Sequence, residues 1–440
     1  MIPSSRVLPL KGPYATNLPH ALLAGIKDLT KPVVLVSGTD PLDPGGHESY
    51  VRAHGIAAIR AGFEPHIFVM SPRSEVAAYD FGVVHRVVGP IKSVTHLKAG
   101  FCHSAAASAI ERFLKGHSPP HLIHAFSTWG GVGVALKRRF AARGESVIPI
   151  TSAYDTKLHE MRKQLASLRP AHGLAKWLRY HFEYLWILSE VDRLERRGYE
   201  GSQMVLVNYD SVRRLLKESY DLRTEIRRIP YASSVAFRNA PEVPAGASSE
   251  AIAALGPTQA PLILAVSRQV PRKGIDVLLR ALAELDRAGA SFRACIVGPG
   301  RLLEANRRTV AELGLSGKVA MPGWVEDSFA YLRKADVFVL PSLEEGSGSV
   351  SVLEALQAGI AVIASACDGI PEDLTDGEDA LLVPPGDVGA LRDALARLLD
   401  DESLRRQLAQ RGRSLYERRF SAAALVTALQ STYRELGFAP

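Results

Sequence analysis

Cysteine is scarce in this chain of 440 residues: Cys102, Cys295 and Cys367 stand far apart. Isolated cysteines build neither a disulfide framework nor a metal knuckle, and they suit a reducing compartment. No Asp-x-Asp occurs anywhere, so the chain offers no paired-carboxylate handle for a metal, and no metal site is expected. A long Lys/Arg block is also missing. The excess of 53 basic over 46 acidic residues, +7, is mild and does not argue for nucleic acid. No apolar run is long enough to span a bilayer, and the first thirty residues lack a basic start followed by a continuous apolar segment. A soluble, cytoplasmic protein is the expectation. Hydrophobic content of 47% with 22% charged residues is that of a globular chain.

At this length two domains are expected. Pro3, Pro9, Pro13 and Pro19 mark the start as a surface arm. Val33–Ser37, Pro65–Met70, His121–Phe126 and Ser146–Thr151 then read as buried strands. Helical stretches at Glu48–Ala61, His103–Leu114 and Gly131–Ala142 lie between them. That alternation predicts a parallel sheet with helices on both faces. Residues 239–261 are rich in Ala, Pro, Gly and Ser and read as a linker. A second alternation follows, with strands at Ile263–Ser267, Phe292–Val297, Val319–Met321, Val337–Leu340, Ile360–Ala364 and Ala380–Val383. The divisions are therefore 1–238, a linker at 239–261, 262–420, and a terminal helix at 421–440. The fold class is α/β, with two Rossmann-like doubly wound domains.

Open parallel sheets bind ligands at the carboxyl ends of their strands, so the loops that follow strands carry the argument. Arg268 and Lys273 follow one strand of the second domain and precede a helix, where a fork and a point charge can meet phosphate oxygens. Arg272 reads as a solvated surface charge. Gly298-Pro299-Gly300 reads first as a tight turn. Trp324 reads as packing, and Val325 follows it. The stretch from Leu340 to Ser365 organises the whole domain: a strand end, a Gly/Ser loop (Gly346, Ser347, Gly348, Ser349), a helix, and the next strand. Ser347 and Ser349 suit helix starts, which offer unpaired N–H groups to an anion. Glu345 and Glu354 flank that start. In the first domain, Gly45-Gly46 permits close backbone approach.

Together these stretches resemble glycosyltransferase family 4, retaining enzymes of the GT-B fold. The matching residues are Gly45-Gly46, VSRQVPRKGIDVLLRAL, IVGPG, PGWVEDSFAYLRKADVFVLPS, EEGSGSVSVLEALQAG and DGIPEDLTDGEDALLVPPGD. The resemblance implies two domains facing a central cleft, with the C-terminal helices packing back on the first. It implies that Arg268 and Lys273 bind the donor diphosphate, with Gly346, Ser347, Gly348, Ser349 and the following helix start. Glu354 would take the ribose hydroxyls, Glu345 would face the donor sugar, and Val325 would meet the base. Gly298 joins them in the donor site, and Gly45 and Gly46 line the substrate site of the first domain. The chain departs from the family pattern in placing eight residues between Glu345 and Glu354, where seven are usual. His124-Ala125-Phe126 keeps only the first histidine of the family's His-x-His, which makes His124 the catalytic candidate. The plain reading of His124, and of His47, is an ordinary hydrogen-bonded histidine.

The implied reaction is transfer of a sugar, with retention, from a nucleoside-diphosphate sugar to an acceptor hydroxyl. The acceptor would be a carbohydrate, a lipid-linked or a small molecule; no cofactor is needed beyond the donor. A sugar-nucleotide epimerase and a non-catalytic sugar-nucleotide binder are the alternatives, since fold does not fix function. Residues 157–197 are helical, basic and aromatic, with Pro170 and Gly173 dividing them into two helices. They carry nine Lys/Arg against five Asp/Glu. Their aromatic residues read as core packing. The alternative is a peripheral contact at the inner face of a membrane through a basic amphipathic surface.

Overall fold

The computed structural model describes residues 31–43, 45–89, 99–154, 156, 159, 162, 178, 181–182, 184–237, 251–252, 255, 259–325 and 327–440. The N-terminal arm, most of the linker and most of residues 157–183, including their division into two helices, lie outside these. The described residues form two compact units. One contains those up to Ser234 together with Ala422–Pro440; the other is Val235–Ser421.

The first unit is built on an eight-stranded sheet. Its strands are β1 (Pro32–Ser37), β2 (Glu64–Ser71), β3 (Glu75–Tyr79), β4 (Gly82–Val88), β5 (His121–Phe126), β6 (Val147–Ala153), β7 (Met204–Val207) and β8 (Glu225–Arg228). Their order is β3-β4-β2-β1-β5-β6-β7-β8, parallel except where β3 runs antiparallel to β4. The central runs, such as VVLV of β1 and HLIHAF of β5, are buried throughout because helices cover both faces. Helices Ala99–Leu114 and Gly130–Ala141 enclose a core of Val34, Val36, Ile110, Ile123, Leu136 and Phe140. The last helix, Ala422–Glu435, packs on Gly46–Arg60 of this same unit, and Phe438 stacks on Phe63 with centroids 5.2 Å apart.

Three features differ from the sequence reading. The β3–β4 hairpin was not anticipated, nor was helix Asp210–Ser219. The hairpin hides because Arg86 sits in mid-strand, where ion pairs to Asp40 and Glu75 and the Tyr79 side chain satisfy its charge. Phe182, expected in the core, is 66% exposed; Tyr184 and Trp186 do pack, against Ile187 and Val191.

The second unit has a six-stranded, all-parallel sheet. Its strands are β9 (Leu262–Val266), β10 (Arg293–Val297), β11 (Val319–Gly323), β12 (Val337–Leu340), β13 (Ala361–Ser365) and β14 (Leu381–Val383). The order β11-β10-β9-β12-β13-β14 reverses direction at β9. Helix Ile275–Arg287 lays Leu278, Leu279, Leu282 and Leu285 on the sheet, the face its 3.6-residue period predicts. Because β9, β12 and β13 are neighbours, the three loops at their carboxyl ends meet at the topological switch point.

Candidate donor site in the second unit

The loop after β9 reaches toward the loop after β12. Gly274 has φ 59°, and a Cβ there would lie 2.0 Å from the Pro341 carbonyl oxygen, so only glycine permits the approach. Arg272 is part of the same junction and no free surface charge. Its Nη1 donates to the Glu344 carbonyl at 3.0 Å, and its own carbonyl accepts from the Leu343 and Glu344 amides.

Lys273 is buried, and its Nζ donates to both oxygens of Glu345, at 2.5 and 2.6 Å. Ser342 Oγ donates to the same carboxylate at 2.5 Å. Burial pushes the Lys273 ammonium down from its usual range, while the Glu345 charge pushes it back up. Of the two cations nominated from the sequence, only Arg268 is exposed. Its side chain makes no hydrogen bond or ion pair among the described residues, and it lies near enough to Lys273 to repel its charge. Glu345 is thus committed inside the protein, with its side chain 4% exposed.

The turn that follows has Gly346 at φ 85°, and the helix starts at Val350, later than Ser347. Ser349 occupies the N-cap position, yet its Oγ pairs with Ser351 Oγ at 3.0 Å and caps no backbone amide. The Ser347 carbonyl accepts from the Gly369 amide, and Gly348 is buried. Glu354 is buried in helix Val350–Ala358; burial raises the Tyr416 hydroxyl above its usual range against the Arg413 charge, and the Glu354 charge adds to the rise. Gly298 and Gly300 press against the β9 loop: a Cβ on either would strike the Ser267 or Gln269 carbonyl oxygen, at 2.0 and 2.4 Å. The glycines of that turn therefore serve the chain's own packing first. Trp324, expected to pack, is 58% exposed, with Val325 half-buried beside it.

In the first unit, Gly45 and Gly46 are exposed at the start of helix Gly46–Arg60. The Glu48 carboxylate folds back over Gly45, so this helix start already faces an anion. Burial raises the Glu48 carboxyl above its usual range. His124 is fully buried, with Nε2 2.7 Å from Ser152 Oγ and Nδ1 2.8 Å from Tyr433 Oη. Burial, then the neighbouring His54, holds it well below the ordinary histidine range. The structure makes it a neutral core histidine, and the catalytic reading is corrected accordingly: neither ring nitrogen is open to a substrate. His47 is half-buried, 3.2 Å from Ser37 Oγ and in ring contact with Tyr154.

Comparison with known proteins fits this geometry. Solved structures share the architecture over most of both chains. Sucrose-phosphate synthase from Thermosynechococcus elongatus matches at TM-score 0.71 and 23% identity, covering 92% of this chain and 99% of that one. Anabaena Alr3699/HepE in complex with UDP matches at 0.64 and 17%, covering 92% and 100%. The fold is GT-B. Residues 249–415, which hold all the second-unit loops described above, match the family described as glycosyl transferases group 1. A lipopolysaccharide core biosynthesis glycosyltransferase, LpsE of Rhizobium meliloti, is 33% identical over 172 residues, 39% of this chain and 49% of that protein. Alpha-D-kanosaminyltransferase of Streptomyces kanamyceticus is 28% identical over 246 residues, 55% and 63%. The chain thus spans less than two thirds of the length of either relative.

Proposed function

We propose that the chain is a retaining glycosyltransferase of the hexosyltransferase type, acting in polysaccharide, glycolipid or glycoside biosynthesis. It moves a sugar from a nucleoside-diphosphate sugar to an acceptor hydroxyl. The observation that carries this reading is the meeting of three strand-end loops at the switch point of the second unit, with Arg268 left as an exposed cation on the loop after β9 and helix Val350–Ala358 starting from the loop after β12. A pyrophosphate suits both. The helix start offers amides and a favourable dipole, and the guanidinium offers a planar fork.

As the glycosidic bond breaks, negative charge grows on the departing diphosphate, so donors fixed there stabilise the transition state more than the ground state. In this reading the leaving phosphate takes the acceptor's proton on the same face from which it departs, which retains configuration. Arg268 and the helix start meet the charge without a metal, and turnover in excess EDTA tests that point. Glu354 holds the ribose, and Val325 lies beside the base. Relatives named for lipopolysaccharide core synthesis support a carbohydrate or lipid-linked acceptor. The exposed apolar side chains of Leu178, Phe182, Leu185 and Leu188 support peripheral contact with a membrane.

A thermal-shift screen against UDP-, GDP- and ADP-sugars is the first test, because a ligand that binds only the folded protein raises its melting point. A donor that shifts the melting point and gives product with an acceptor carries the proposal. A changed donor sugar without acceptor would make the protein an epimerase. Binding with no product across a broad acceptor panel would make it a binding protein.

A further inference from the structure

We propose that Asp368 is a positioning residue that clamps the Glu345–Gly346 turn and so keeps the Glu345 carboxylate on Lys273. The backbone amides of Glu345 and Gly346 both donate to Asp368 Oδ2, each at 2.7 Å. Two successive amides aimed at one oxygen form the kind of concavity that elsewhere holds an anion. Here the chain supplies its own anion. The clamp has a return link, since the Gly369 amide donates to the Ser347 carbonyl at 2.7 Å. The loops after β12 and β13 are therefore tied in both directions.

The backbone of Asp368 shows that this tie is enforced. Its φ is 49°, and it is one of two non-glycine residues, with Ser127, that have positive φ among the described residues. A left-handed conformation costs a side chain energy and persists where surrounding contacts over-determine it. An aspartate bears that conformation better than most residues, and the two amide bonds supply the determination. The consequence reaches the next side chain. With its amide fixed, Glu345 is directed inward to Lys273 and Ser342.

The lysine depends on this partner. Lys273 is buried, with Arg272 and Arg268 near enough to repel its charge. Without Glu345 it would shed its proton far more readily than an exposed lysine. Asp368 thus preserves a cation by holding that cation's counter-ion in place. For donor chemistry this rests on the proposed function: the amides of Glu345 and Gly346 are already occupied, so a diphosphate falls to Arg268 and the helix start. The clamp itself is testable without any donor.

Trace acetylation of the full chain, followed by mass spectrometry between pH 7 and 10, reads the protonation of each lysine, with exposed Lys115 as internal reference. Asp368→Gly removes the carboxylate yet accepts positive φ. Asp368→Asn keeps a weaker acceptor, and Glu345→Gln removes the counter-ion directly. The expected result is a Lys273 midpoint that falls in Glu345→Gln and in Asp368→Gly, with about tenfold faster labelling at pH 8. A smaller change is expected in Asp368→Asn, and none at Lys115. Hydrogen exchange in the peptide spanning 343–349 should rise in both Asp368 variants. An unchanged Lys273 profile in both Asp368 variants overturns the proposal. So does a rise shared by all lysines in both, since loss of the fold would then account for it. A normal clamp in a protein that binds no sugar nucleotide would overturn the proposed function and leave the clamp standing.

Discussion

The imidazole of His124 on β5 shares a hydrogen bond of 2.8 Å with the hydroxyl of Tyr433, 309 residues later in the chain. Its other nitrogen is 2.7 Å from Ser152 on β6. The contact fastens the last helix to the first sheet, and a buried group of this kind is costly to leave without a partner. Tyr433→Phe should cost about 1 kcal/mol and His124→Ala about 3 kcal/mol, because the alanine strands two polar groups and leaves a cavity. Chemical denaturation measures both. Turnover per folded molecule should stay within about twofold; a folded His124→Ala protein whose turnover drops a hundredfold would restore the histidine to the chemistry.

Arg268 should show the opposite profile. Its side chain is exposed and unbonded among the described residues, so Arg268→Ala should leave the melting temperature within a degree or two. If it meets the leaving diphosphate, kcat should fall on the order of 10²–10³, as for loss of other transition-state donors. Steady-state kinetics with the donor identified by thermal shift decides this, and near-normal turnover would remove Arg268 from the site.

Acid should loosen one unit before the other. All 13 histidines precede residue 182, hence none lies in Val235–Ser421. Burial holds His54 and His103 down to about 4, and His85, buried beside His66, to about 3. Unfolding frees these rings to take protons from about pH 6.5 downward, whereas the folded unit refuses them until about pH 4. Their contribution is complete above about pH 6.5 and fades as pH falls toward 4. At pH 5 each buried ring withdraws on the order of 2 kcal/mol. Hydrogen exchange at pH 7 and pH 5 should show the first unit opening selectively; simultaneous opening of both units would refute the assignment.

Phe182 and Leu185 are 66% and 62% exposed, with Leu178 and Leu188 completing the outward stripe. Exposed Arg193 and Arg197 continue it toward the next turns. Co-sedimentation with vesicles containing phosphatidylglycerol should exceed that with pure phosphatidylcholine, and Phe182→Ser with Leu185→Ser should reduce it at least tenfold. Equal recovery with both lipids, or no loss in the double variant, would leave the stripe without a membrane role.

Most of the second unit was legible because each buried parallel strand is a short apolar run set off by turn residues, as VFVL and AVIAS are. The β3–β4 hairpin was not. EVAAY is a half-exposed edge, and GVVHRVV carries charge in mid-strand that only tertiary partners explain. In the candidate site, the place of Arg268 after a strand is what nominates it from the sequence. The fate of Lys273 could not be read there, since its partner lies 72 residues away. Asp368 left one local trace, an Asp-Gly pair of the kind that marks turns, and Trp324 shows that an aromatic after a strand need not pack.

Because the segment from Ala422 onward belongs with residues before Ser234, the second unit is an inset within the first. During synthesis, at roughly 5–20 residues per second, the inset has all its residues while the first unit still waits for Tyr433 and Phe438 to fill places beside His124 and Phe63. The roughly 200 residues between Ser234 and Tyr433 take on the order of 10–40 s at that rate, and over that time the first unit holds an open socket that only the segment beyond the inset closes.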